Sequence, residues 1–244
     1  MDTTKRYKAV FFDLGGTLRI ALLEEPYMKH ARRKMAEIAG SPVPYEEFYQ
    51  MIEERYEPYR DWALGENKES NDEELWCKWL LPDYDQARIR QICHELSFQY
   101  RQCKGRRVVV DGGVEVIKGL HERGYKLGII SNLIGENEVP DWLEEDGLDR
   151  YFDTVILSSV CGMRKPCFEI YQLAAREMGV ELSECVSVAD NIKRDIPGAK
   201  KAGVGCNIIF SSPEKKHPVE FTEENRPDAV VEDFREILNL LPPL

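Results

Sequence analysis

The sequence predicts an α/β protein in which a parallel sheet is covered by helices and interrupted early by a long all-helical insertion. Three observations carry this. The run KAVFFD at Lys8–Asp13 is apolar, ends in a carboxylate and breaks at Gly15 and Gly16. A buried parallel strand has this form where it feeds a loop at its carboxyl end. Roughly Ile20–Lys104 then shows helical spacing of apolar residues and almost no β signal. Beyond Gly105, short apolar runs alternate with amphipathic ones, the texture of strands joined by helical crossovers.

The elements follow in order. Tyr27–Ala39 reads as a helix stopped by Gly40, and Ser41–Pro44 as a turn. Tyr45–Tyr59 places Phe48, Met51, Ile52 and Arg55 at helical spacing. Ser70-Asn71-Asp72 caps Glu73–Leu81, and Asp85–Tyr100 forms another helix. The stripe of Trp76, Trp79 and Leu80 reads as core rather than ligand contact. In the second half, helices are expected at Gly113–Arg123, Asp141–Glu145, Pro166–Met178, Ile196–Ala202 and Phe234–Leu240. Strands are expected at Lys126–Ser131, Thr154–Ser159, Cys185–Asp190, Gly205–Phe210 and Ala229–Val231. Ser211–Arg226, rich in Pro, Glu and Lys, reads as the mobile loop, and the acid run Glu220–Glu224 as a solvated face.

Composition narrows the function classes. Lys plus Arg is 33 and Asp plus Glu is 44 in 244 residues, a formal charge of −11. A surface of that sign repels phosphate backbones, so nucleic acid is not an expected partner. No apolar run approaches the ~20 residues of a membrane span, and the first residues do not read as a signal peptide. The 7 cysteines, Cys77, Cys93, Cys103, Cys161, Cys167, Cys185 and Cys206, are scattered with no C-x-x-C pair. That suits reduced thiols in a cytoplasm better than disulfides or zinc. The 4 histidines, His30, His94, His121 and His217, form no metal motif.

Chemistry gathers at the expected strand ends, where open α/β sheets bind ligands. The first strand ends in Asp13, followed by Gly15, Gly16 and Thr17; the next ends in Ser131-Asn132. Lys165 lies in the run Arg164-Lys165-Pro166, and a later strand ends in Asp190, with Asp195 following. Carboxylates converging from different strands repel one another unless a cation joins them, and hard oxygen donors favour Mg²⁺. A carboxylate beside Mg²⁺ can attack phosphorus to form an aspartyl-phosphate, with a hydroxyl and a lysine holding the other phosphate oxygens.

The runs FFDLGGTL, IISN, RKP and VADNIKRDIPGAKKAG resemble, in order and spacing, the four motifs of the haloacid dehalogenase-like hydrolase superfamily. The resemblance spans the chain. It implies a Rossmann-like core formed by residues 1–19 and 105–244, with residues 20–104 as a helical cap of the subfamily I type. It also implies Mg²⁺-dependent hydrolysis of a small phosphorylated substrate. By similarity Asp13 falls on the nucleophile and metal ligand, and Gly15 lends a backbone carbonyl to the metal. Thr17 shapes the loop and, with Ser131, Asn132 and Lys165, belongs to the phosphate-binding set. Lys165 also neutralises charge, and Asp190 and Asp195 complete the metal site.

One position departs from the pattern. The family's phosphatases carry a second aspartate two residues after the nucleophile, which protonates the leaving group and activates water. Gly15 stands there, so the metal's main-chain ligand survives while the acid/base does not. Loss of such a group costs roughly 10²–10⁴ in rate. Three alternatives to a fast phosphatase follow. One is a phosphonoacetaldehyde-hydrolase-like enzyme, which needs a cap lysine (Lys29, Lys34, Lys68 or Lys78). The others are a 2-haloacid dehalogenase and a phospho-ligand-binding pseudoenzyme. The sequence leaves the substrate and the oligomeric state open.

Overall fold

The computed structural model describes residues 6–211 and 221–244. Of the loop expected at Ser211–Arg226, residues 212–220 lie outside the described residues, and His217 and Glu220 with them. Six parallel strands form the central sheet: β1 (Ala9–Phe12), β4 (Lys126–Ser131), β5 (Thr154–Leu157), β6 (Cys185–Ala189), β7 (Cys206–Phe210) and β8 (Ala229–Val231), in the order β5-β4-β1-β6-β7-β8. In register, Phe12 lies level with Ile129 of β4 and Val188 of β6. Alternation along β1 decides what each face buries. Val10 and Phe12 join a cluster with Val116, Ile117 and Leu120 of α5 (Gly113–Glu122) and Ile237 of α10 (Glu236–Leu240). Ala9 and Phe11 join another with Ile170, Tyr171 and Ala174 of α8 (Glu169–Met178) and Ala199 of α9 (Asp195–Ala202). The α/β class with helices on both faces of a parallel sheet is as expected.

The helical insertion has its own core. It contains α1 (Glu25–Ala39), α2 (Tyr45–Glu66), a short turn α3 (Asp72–Glu74) that runs into a π-helix at Leu75–Leu80, and α4 (Gln86–Gln102). Met35, Phe48, Ile52, Tyr59, Trp76, Leu80 and Leu96 are buried together there. Trp76 and Leu80 are core as expected, and Trp79 packs half-buried against them.

Two connections tie this unit to the sheet. The first was not foreseen. β2 (Arg19–Leu22) and β3 (Arg106–Val109) pair antiparallel as a ribbon, with Arg19 opposite Val109 and Leu22 opposite Arg106. Each strand has 4 residues and carries arginine, so neither shows the alternation that identifies a strand in sequence. The second connection is the segment 67–72. Its Lys68 bridges Met163, Glu69 N donates to Gly162 O (3.1 Å), and Arg164 N donates to Asn67 O (2.9 Å). The strand expected at Thr154–Ser159 stops at Leu157, because Ser158 and Ser159 turn into the short helix α7 (Ser158–Cys161). Among the described residues no helix is long and apolar enough to cross a membrane, and no disulfide joins any of the seven cysteines.

Candidate active site

From β1 the chain adds β4 and β5 on one side of the sheet before β6, β7 and β8 extend the other. The carboxyl ends at such a reversal open a crevice, and the chemistry-bearing residues lie there. Asp13 follows β1, its backbone N–H donating to Val188 O at 2.9 Å. Its buried Oδ1 accepts a hydrogen bond from Lys165 Nζ at 2.7 Å. Thr17, fully buried, brings Oγ1 to 3.5 Å from Asp13 Oδ2. Lys165 Nζ also pairs with Asp195 Oδ1 (2.7 Å) and donates to Ile130 O (2.9 Å). An ammonium 3% exposed is thus held by two carboxylates and a carbonyl.

The loops explain how these groups meet. Asn132, just past β4, clasps the Lys165 backbone from both sides. Its Oδ1 accepts from Lys165 N (2.8 Å) and its Nδ2 donates to Lys165 O (2.9 Å). After β6, Asn191 Oδ1 accepts from the backbone N–H of Lys193 (3.1 Å) and Arg194 (3.0 Å), and Asp195 N donates to Asn191 O (2.8 Å). That turn starts α9 at Asp195. Gly198 lets α9 approach closely, since a Cβ there would lie 2.8 Å from Pro166 O. Ser131 is buried at the end of β4, and Asp190 is half-buried at the end of β6.

Arg194 joins the cluster with almost no signal of it in the sequence. Its Nη2 lies 3.0 Å from Asp195 Oδ2, 3.5 Å from Asp13 Oδ2 and 4.0 Å from Asp190 Oδ1. In the run Lys193-Arg194-Asp195 it looks like a solvated charge. The one available signal was its spacing of four from Asp190.

Electrostatics set what the cluster can hold. Burial pushes the Asp13 carboxyl above its ordinary pKa; Lys165 and Arg194 oppose this, while Asp195 and Asp190 add to it. Asp195 is held below its ordinary value, because Lys165 and Arg194 outweigh its burial. Three carboxylates therefore share two cations. Oxygen atoms of Asp13, Asp190 and Asp195 lie within 4.8 Å of one another, and all are hard donors, so the set fits a Mg²⁺-sized cation. Gly15 leaves this cluster open. Its φ lies outside the left-handed region, and a Cβ there would meet nothing within 4 Å. A similar triad of Asp72, His94 and Glu136 is structural. Asp72 accepts from Ser97 Oγ (2.6 Å), Gly135 N (3.1 Å) and Glu136 N (3.2 Å) and pairs with His94 Nδ1 (2.8 Å), tying the insertion to the core.

Between the insertion and the strand ends lies a cavity of about 150 Å³, lined by Tyr56, Tyr100, Arg101 and Lys104 from the insertion and by Arg107, Asn132 and Arg164 among others. None of the insertion's side chains here had been singled out in the sequence. They come from two helices and the loop after α4, and only the fold brings them together.

The model of the haloacid dehalogenase-like hydrolases matches residues 7–203. The chain belongs to that family. Glyceraldehyde 3-phosphate phosphatase of Pyrococcus abyssi is 30% identical over 203 residues, covering 81% of this chain and 79% of the relative. The enzyme of the same name from Methanothermobacter thermautotrophicus is 26% identical over 246 residues, covering 96% and 99%. Among solved structures, the haloacid dehalogenase-like phosphatase of Thermococcus onnurineus has a TM-score of 0.62 at 25% identity, covering 97% of this chain and 98% of its own. The 2-haloacid dehalogenase of Pseudomonas syringae pv. Tomato DC3000 has 0.70 at 21%, covering 96% and 98%, a likeness of fold. The chain is therefore an enzyme of the haloacid dehalogenase-like hydrolases, and its relatives include phosphatases of small phosphorylated molecules.

Proposed function

We propose that this hydrolase is a Mg²⁺-dependent phosphatase of small phosphorylated metabolites that works through an aspartyl-phosphate on Asp13. The observation that carries the reading is the Asp13–Lys165–Asp195 chain of ion pairs at the sheet reversal. A carboxylate oxygen of Asp13 attacks phosphorus, the bond from phosphorus to the leaving oxygen breaks, and water then cleaves the acyl phosphate to regenerate Asp13. Lys165 offsets the negative charge of carboxylate and phosphate as they meet. Ser131 contributes its hydroxyl to phosphate binding. Asn132 and Thr17 act through others: Asn132 fixes the lysine loop and Thr17 fixes the turn after Asp13. Mg²⁺, held by Asp13, Asp190 and the Gly15 carbonyl, supplies further charge neutralisation when bound. Asp195, already engaged by Lys165 and Arg194, serves to hold those cations. Residues 20–104 act as a cap over a core of residues 1–19 and 105–244.

With Gly15 in the acid/base position, turnover depends on the leaving group. Aryl and acyl phosphates, which leave without a proton, are hydrolysed faster than alkyl phosphates. The phosphonoacetaldehyde reading lacks its lysine. Lys29, Lys34, Lys68 and Lys78 do not line the cleft cavity, whereas Lys104 does. Burial pulls the Lys104 pKa down, but hydrogen bonds to Glu53 and Tyr49 outweigh it and hold the amine above its ordinary value. A Schiff-base lysine needs the reverse. The test is hydrolysis of p-nitrophenyl phosphate with Mg²⁺ and with EDTA, beside chloride release from 2-chloropropionate. Mg²⁺-dependent phosphate release without chloride release is expected. Chloride release, or no phosphate release at any Mg²⁺ concentration, overturns the reading.

A further inference from the structure

We infer that the cleft cavity is a subsite for a second anionic group, so that the substrate is a short phosphomonoester bearing a carboxylate or another phosphate at its far end. This rests on the phosphatase reading, since it concerns the end of the substrate that does not react. The cavity of about 150 Å³ is lined by Arg101, Lys104, Arg107 and Arg164 and, among the described residues, by no carboxylate. Two larger cavities, of about 520 and 580 Å³, mix both signs. The charged residues of the lining are thus all cationic although the chain carries a net charge of −11, and such a cleft focuses potential on an incoming anion.

The carboxylates behind the lining do not balance it. Lys104 pairs with Glu53 and Arg164 with Glu69. Arg101 pairs with the buried Glu138, and Arg19 reaches the same carboxylate at 3.4 Å. Arg107 has no ion pair among the described residues. Its Nη1 donates to the carbonyls of Arg101 (2.7 Å) and Gly105 (2.9 Å). Burial, with Arg101 and Arg19 nearby, brings its pKa down to about 10, whereas Glu138 pulls the other way. Nε of Arg164 is buried and has no acceptor, which is costly until a ligand supplies one. Asn132 joins this cavity to the lysine loop, so one molecule can place its phosphate at Asp13 and its far end among these cations. The volume is well under the roughly 300–1,000 Å³ of drug-sized sites, which fits a far end of a few heavy atoms.

The experiment compares 3-phosphoglycerate with glycerol 3-phosphate, which share the phosphate and chain length and differ at the far end in carboxylate against CH₂OH. Binding is read by calorimetry on Asp13→Asn, which needs no turnover, and as competitive inhibition of p-nitrophenyl phosphate hydrolysis by wild type. We expect 3-phosphoglycerate to bind at least tenfold tighter. In the Asp13→Asn background, Arg107→Met removes that preference and leaves glycerol 3-phosphate affinity in place. Arg107→Lys keeps part of it, and Lys104→Met reduces it less. If Arg107→Met does not fold, Arg107→Lys and Lys104→Met carry the same comparison. Propane-1,3-diol bisphosphate is the phosphate-ended arm, and the tighter of the two anion-ended ligands names the group. Equal binding of all three ligands overturns the inference, as does a preference untouched in both the arginine and lysine variants. Failure of p-nitrophenyl phosphate hydrolysis overturns the phosphatase reading instead and leaves the calorimetric comparison to decide the subsite.

Discussion

Around Asp13, three carboxylates share two cations; around Glu138, one carboxylate pairs with two guanidiniums, Arg19 and Arg101, and lies in the field of a third, Arg107. Both clusters are buried, and their origins differ. The first is assembled from strand ends and loops of the sheet, with Lys165 and Arg194 supplied by the turns before α8 and α9. The second joins the ribbon (Arg19 and Arg107) to α4 (Arg101) and to α6 (Glu138–Glu145), so it spans insertion and core. A buried imbalance of charge states which ligand is missing. On the readings proposed above, the first cluster takes a cation and the second lies beside a site for an anion. The net charge of the whole chain reveals neither.

The largest expected effect comes from the cation-seeking cluster. Asp13→Asn should lower kcat on p-nitrophenyl phosphate by on the order of 10⁴-fold or more, as loss of a nucleophile does. Its thermal midpoint should hold or rise, because a carboxylate whose pKa burial has raised is a net burden to the fold at neutral pH. Turnover near wild type would place the chemistry elsewhere. Gly15→Asp should act in the opposite direction and raise kcat/KM on an alkyl phosphate by roughly 10²-fold, the low end of a general acid's worth. Nothing lies within 4 Å of a Cβ at Gly15, and its φ suits any residue. Strain therefore does not mask the result. If wild type cleaves aryl and alkyl phosphates equally and Gly15→Asp adds nothing, another group already supplies the proton.

How much could be read in the sequence differs between the two clusters in the same way. The first was legible because its strand-end contributors close apolar runs, Asp13 after AVFF, Ser131 closing KLGIIS and Asp190 after CVSVA, while Lys165 and Asp195 stood out only through the order of the motifs around them. A buried strand announces itself locally, and parallel topology then brings its end to the others. Arg194 escaped because nothing local separates a buried arginine from a solvated one. The second cluster was not legible. Arg19 and Arg107 sit in strands too short to show alternation, paired across the whole insertion. The cavity's Tyr56, Tyr100 and Arg101 lie on helix faces whose direction depends on packing. Helix ends slipped for the same reason: α2 runs on to Glu66, well beyond the expected Tyr59, because Tyr59 and Ala63 are buried in the insertion's core.

Removing the single carboxylate of the second cluster should destabilise the protein. Glu138→Gln leaves Arg19 and Arg101 buried without their partner, a change worth about 3 kcal/mol, or a midpoint lower by roughly 6–12 °C at this chain length. The sign with pH follows from the Glu138 carboxyl. Burial would raise its pKa, but Arg101, Arg107 and Arg19 outweigh it and hold it below the ordinary 4.5. A depressed carboxyl stabilises fully above its unfolded value and loses that contribution as pH falls through the folded one. Thermal scans of both proteins should therefore differ at pH 7 and converge as pH drops below 4.5. A gap that stays constant with pH would mean the glutamate acts by packing rather than charge.

The smallest effect tests whether the first cluster carries a cation of its own. Arg194 spans Asp13, Asp190 and Asp195, and these carboxylates hold its pKa above the ordinary value against its burial. A guanidinium in that position satisfies part of the charge a divalent ion would satisfy, so Mg²⁺ must compete with it. Arg194→Gln should tighten Mg²⁺ binding by about tenfold, equivalent to about 1.4 kcal/mol, when titrated by calorimetry in the absence of substrate. The same variant should melt lower than wild type without Mg²⁺, because the buried Asp13 and Asp195 and the half-buried Asp190 then share only Lys165, and should recover most of the loss when Mg²⁺ is added. Arg194→Lys should fall between the two, since an ammonium keeps the charge but cannot span three carboxylates as a planar fork does. Weaker Mg²⁺ binding in Arg194→Gln would show the opposite relation, with the arginine aligning the carboxylates for the metal rather than standing in for it.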